Sequence, residues 1–139
     1  MIIDTHSILL DYDGVTPLKH RNDEVATENG EIVYVDGKVK MIPHILDLTA
    51  GLAIRESLNY GFPRDKEIDG DEKFRRFDIS LRVQGAISAN DGKMSLTAKE
   101  VVLILDSAKR FLGVASYGRL RQLLEPDEGV KEKKDKGNG

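Results

Sequence analysis

The chain has 139 residues, 40% hydrophobic and 32% charged, with a net charge of −3 and no cysteine. That length suits one domain of ordinary size. The missing cysteines exclude disulfides, thiol catalysis and cysteine-ligated metal centres, and the absent positive excess is not that of a dedicated nucleic-acid binder.

The first segment, "IIDTHSILLDYDGVTPLKH", reads as a strand, a turn at Asp13-Gly14 and a short return limited by Pro17. Residues 21–30, "RNDEVATENG", read as a polar loop. "EIVYVDGKVKMI" reads as a hairpin, because Asp36-Gly37 meets the positive-φ demand of a type I′ turn. Residues 1–42 are therefore expected to form a small antiparallel sheet. From Pro43 the pattern changes to a helical period, with Ile45, Leu48, Leu52 and Leu58 on one face. Thr49 is placed as a cap, Gly61 as the helix end, and Pro63 lies just beyond.

"DEKFRRFDISLRVQGAIS" reads as a second helix with Phe74, Phe77 and Leu81 turned to the core. "ANDGKMS" reads as a loop. Thr97 and Glu100 form a T-x-x-E capping box, and Leu96 with Val101 fits a hydrophobic staple. Gly113 is expected to stop that helix, and Ser116 to cap a last one that ends at Pro126. The expected fold is α+β: N-terminal hairpins (1–42) packed on three to four helices (43–125). Residues 126–139 read as a disordered charged tail, since they hold a single apolar residue, Val130.

Motifs that carry chemistry are scarce. "RDKEIDGDEKFRR" places Asp65, Glu67, Asp69, Gly70 and Asp71 on an EF-hand template, but the bidentate position is Arg76, a cation. The same residues read better as a helix start, with Asp69 as cap and Glu72 paired to Arg76 four residues on. His6, His20 and His44 share no ligand spacing. No G-x-S-x-G, P-loop or G-x-G-x-x-G is present. The D-x-D of Asp11 and Asp13 is similar to that of haloacid dehalogenase-type enzymes at those residues alone, and a turn is preferred.

Two basic surfaces are candidates for partner or nucleic-acid contact: Lys73, Arg75, Arg76 and Arg82 on the second helix, and Lys109, Arg110, Tyr117, Arg119 and Arg121 on the last two. The latter sit in a helix-turn-helix-like segment, 101–124, which supports DNA-binding transcription-type regulation as an alternative function. The favoured function is non-catalytic protein binding, through exposed strand edges among other surfaces. No cofactor or catalytic metal is expected. The expected partner is another protein, and a second copy of the chain is left open.

No apolar run approaches the ~20 residues of a membrane helix, and the start interrupts its apolar stretch with Asp4 and His6, so neither a membrane span nor a signal peptide is expected. A cytoplasmic location follows as an expectation. The segments "ILLDYDGVTPL", "LDLTAGLAIRESL", "MSLTAKEVVLILDSAKRFLG" and "GRLRQLLE" together resemble those of small phage-encoded accessory proteins. The resemblance implies a helper role in virion assembly or in redirecting a host machine, and no catalytic residues.

Overall fold

A computed structural model of the chain describes residues 1–126; the expected tail beyond them lies outside the described residues. The fold is α+β, as the sequence suggests, with small antiparallel strand pairs and four helices. Its strand pairing differs from the expected sheet.

β1 (Ile2–Asp4) does not pair with its own return. The turn at Asp11–Gly14 closes only an isolated bridge, Leu10 to Pro17. β1 instead reaches across the chain to β8 (Lys93–Ser95), with Ile3 opposite Met94. "KMS" is therefore a strand, where a loop was expected. The Met1 amino group donates to the Leu96 carbonyl at 2.9 Å, and Ile3, Met94 and Leu96 are buried. Alternating burial makes this pair a lid on the helices, fixed by tertiary contact.

The second correction is larger. β2 (Lys19–Val25) and β7 (Met41–Asp47) form one antiparallel ribbon, where a loop and a helix start were expected. A short apolar run such as Met41 to Leu46 fits a strand or a helix equally by period alone. Pairing decides it: β7 closes on β2 over seven registered pairs. β2 is poor strand material, "KHRNDEV", and is held by its partner.

At the ribbon tip the chain makes two tight hairpins. β3 (Thr27–Glu28) and β4 (Glu31–Ile32) flank Asn29-Gly30; β5 (Tyr34–Val35) and β6 (Lys38–Val39) flank Asp36-Gly37. All four turn residues have positive φ, 53° and 81° in the first turn and 52° and 76° in the second. That is the type I′ geometry, which glycine and Asn or Asp tolerate. A cyclic set of backbone bonds closes the junction. Ala26 N–H donates to Lys40, Lys40 to Val33 and Val33 to Ala26, each at 2.9 Å. Residues 19–47 thus form an arm whose stem and tip are almost wholly exposed, apart from the junction residue Ala26.

The helices make the body. α1 (Ala50–Tyr60) sits at its centre, packed on α2 (Gly70–Ser88), α3 (Ala98–Phe111) and α4 (Val114–Leu124). Ile54, Leu58, Ile104 and Leu120 are fully buried, each stabilising by about 1.5–3 kcal/mol. Thr49 caps α1 by accepting from Leu52 N–H, and the Thr97–Glu100 capping box of α3 is complete in both directions. Gly61 ends α1 where a Cβ would stand 2.2 Å from the Ser107 carbonyl oxygen, so glycine lets α1 and α3 approach. α4 is capped by Gly113 without a side-chain bond; Ser116, the expected cap, lies inside the helix. Leu112 closes α3, where Gly113 was expected to, and Gly113 begins α4 directly after it, which leaves no room for a later start.

α2 has two apolar stripes, and the inward one is not the expected one. Ile79, Val83 and Ala86 are buried, whereas Phe74, Phe77 and Leu81 are 68%, 59% and 60% exposed. Close approach explains the choice. A Cβ on Gly51 of α1 would lie 2.7 Å from Ile87 Cγ1, so α2 meets α1 at a distance suited to compact side chains.

Candidate interaction surface

The arm's geometry follows from its register. Leu48 N–H donates to Leu18 at one end of the stem and Ala26 N–H to Lys40 at the other. Antiparallel ladders alternate, so His20–Leu46, Asn22–His44 and Glu24–Ile42 are the hydrogen-bonded pairs. Lys19–Asp47, Arg21–Ile45, Asp23–Pro43 and Val25–Met41 are the others, and directly opposed residues share a face. Pro43 therefore turns its nitrogen to the outer edge of β7. That edge lacks a donor at its middle, and the outer edge of β2 is lined by charge. Both devices discourage strand addition, so the faces are the usable surface rather than the edges suggested by sequence.

Those faces are apolar on the β7 side. Met41, Pro43 and Ile45 line one and Ile42 and Leu46 the other, with exposures from 43% to 63% among the four large residues. A strand apolar on both faces is the pattern of a strand covered on both sides. Two ion pairs and one histidine–carboxylate contact lie on the stem. Lys19 Nζ lies 2.5 Å from Asp47, Arg21 Nε 2.9 Å from Asp23, and His44 Nε2 3.2 Å from Glu24. The outward stripe of α2 is a second exposed apolar patch, and its Phe74 and Phe77 rings lie 6.4 Å apart.

The nine basic and aromatic candidates scatter. Arg76 is 3% exposed. Its guanidinium donates to the Leu58 carbonyl at 3.0 Å, lies 5.0 Å over the Phe62 ring and has Glu72 3.5 Å away. It closes the C-terminal end of α1 and is unavailable to a partner. Arg82 pairs with Glu100 and Asp78, tying α2 to the start of α3. Arg119 donates to the Leu10 and Asp11 carbonyls at 2.9 Å each, fastening α4 to the N-terminal turn. Lys109 and Arg110 both pair with Asp106. Burial pushes that carboxyl up, but hydrogen bonds from Arg110 and Lys109 outweigh it and hold it below its usual value. Arg121 pairs with Glu125, and Tyr117 is half-buried against the core. Lys73 and Arg75 are exposed, with no side-chain partner among the described residues.

The acids are engaged locally. Asp69 caps α2 by accepting from Glu72 N–H at 2.8 Å, as the sequence suggests. Asp13 accepts from the Thr16 hydroxyl and from Thr16 and Val15 N–H, which holds its carboxyl at about 2, below the ordinary 3.8. Asp11 lies in the same turn. His6 Nε2 is 2.9 Å from the Ile87 carbonyl, a link between the turn after β1 and α2. Among the described residues no three His, Asp or Glu side chains gather to hold a metal. No described helix is long and apolar enough to cross a membrane.

No family model, curated protein or solved structure matches this chain. The surface has to be read from its own chemistry. Sequence reasoning missed the arm, although two signals were present. Asn29-Gly30 repeats Asp36-Gly37 at a spacing of seven, which marks a second type I′ hairpin. The low charge of 41–46 opposite the high charge of 19–24 marks two strands of unlike character. A cleft of about 760 Å³ was also missed; Tyr60, Phe62, Arg64, Lys66 and Arg110 are among its lining residues. Its residues read as a polar approach to α2, and only folding brings Arg110 beside them.

Proposed function

We propose that this chain is a non-catalytic protein-docking module and that the arm, residues 19–47, carries the contact. One observation supports the reading most: a two-stranded ribbon exposes an apolar strand on both faces, with Met41, Ile42, Ile45 and Leu46 all open among the described residues. Such ribbons are marginal in water alone, and uncovered apolar patches mark interaction sites. The arm also holds four basic and six acidic residues, a net −2, which suits protein better than phosphate backbone. A helper role of the kind the accessory-protein resemblance implies needs no more than such a surface. The regulator alternative loses Arg119 to the carbonyls of Leu10 and Asp11.

The test uses the full chain as bait in an extract divided into untreated and nuclease-treated halves, beside an Ile42→Asp, Ile45→Asp variant. Both residues are exposed, so the body should melt unchanged. A protein retained stoichiometrically by the native chain and lost with the variant is the expected result. Retention unaffected by the substitutions, or recovery of nucleic acid alone, overturns the reading.

A further inference from the structure

Building on that docking reading, we propose that the arm's partner is a second copy of this chain, two arms packing face to face about a two-fold axis with Val25, Met41, Pro43 and Ile45 at the seam. Three observations carry this. The first is charge. In a two-fold contact every surface meets itself, so an unbalanced charge on it would repel its copy. The seam face avoids this, because Lys19–Asp47 and Arg21–Asp23, the charged residues on the side of Ile45, each cancel within one ribbon; the arm's acidic excess lies on the other face and at the tip. A surface shaped for a basic or acidic partner would carry an excess instead.

The second is area. Nine large apolar side chains of the arm, counted over both stem faces and the tip, are 40–63% exposed. At roughly 150–250 Å² for a large side chain, they offer on the order of 800 Å². That is about what a standard interface takes from each partner. The α2 stripe, with three residues, offers about half as much and falls short alone. The third is the blunted edge. Pro43 removes the donor from the middle of the outer edge of β7, leaving face packing as the available mode. Two-stranded ribbons twist more than wide sheets. Two crossed arms therefore coil round each other, which carries Ile42 and Leu46 of the other face toward the seam.

The chain has no cysteine, so a single introduced thiol reports one position without background. Sedimentation of the full chain should show a concentration-dependent dimer, and Ile45→Asp should weaken it by roughly tenfold or more. Under mild oxidation Pro43→Cys should form a disulfide-linked dimer faster than Val114→Cys, a control on α4 where the native residue is 81% exposed. A monomer at the highest attainable concentration overturns the inference, as does a dimer indifferent to Ile45→Asp or equal crosslinking at both thiols. If the chain is monomeric but the arm variant still loses a foreign protein, docking stands and self-association fails. If neither assay responds to the arm, both fail.

Discussion

The arm and the body use hydrophobic residues in opposite ways. In the body, Leu58, Ile54 and Ile104 are wholly buried, and even cations such as Arg76 are drawn in and given partners. In the arm, Ile45, Tyr34 and Val35 are more than half exposed, and the backbone does the holding through paired ladders, two type I′ turns and the cyclic junction of Ala26, Val33 and Lys40. The body is stabilised by excluding water, the arm by local hydrogen-bond geometry. The contrast teaches that the arm's shape is set before anything touches it, while its apolar strand is left for contact. Preorganised surfaces of this kind lose little entropy on binding.

Matched substitutions break or sharpen the contrast. Leu58→Ala in α1 should cost about 2–5 kcal/mol, read by denaturant unfolding. Leu46→Ala in β7 should cost less than about 1 kcal/mol when measured at a dilution that keeps copies apart. Equal losses would mean that the arm packs on the body in solution. A middle effect is expected at Arg119, the bond between α4 and the N-terminal turn. Arg119→Ala should lower stability by about 1–3 kcal/mol, with faster amide exchange around Leu10 and Asp11 and no change in the arm. The smallest effect concerns the Asp13 turn. Its carboxyl is held at about 2 in place of 3.8, so the turn's contribution is complete above 3.8 and fades as pH falls through about 2. Thr16→Val removes the hydroxyl donor and should raise the Asp13 midpoint toward 3.8 in a carboxyl-detected NMR titration. An unmoved midpoint would deny the Thr16 bond its part.

Elements whose reason is short-range were legible. The caps at Thr49, Asp69 and Thr97, the close of α1 at Gly61 and the Asp36-Gly37 turn each depend on side chains and backbone within a few residues. The candidate contact residues were less legible. A list of exposed-type residues does not say that Arg76 turns inward to the end of α1, or that Arg119 reaches carbonyls more than a hundred positions away. The same limit hid the arm. β2 has almost no strand propensity of its own, and Met41 to Leu46 is ambiguous until a partner strand is supplied.

Composition and local pattern by themselves determined that this is an α+β chain without cysteine chemistry, with three of its four helix starts and one hairpin turn in place. Only the tertiary structure decided that β1 pairs with β8, that Ile79 rather than Phe77 faces the core, and that 41–47 is a strand of a projecting ribbon. The reason is range. A cap or a type I′ turn is settled by bonds a few ångströms and residues apart, whereas the inward stripe of a helix with two apolar sides depends on how closely its neighbour can approach.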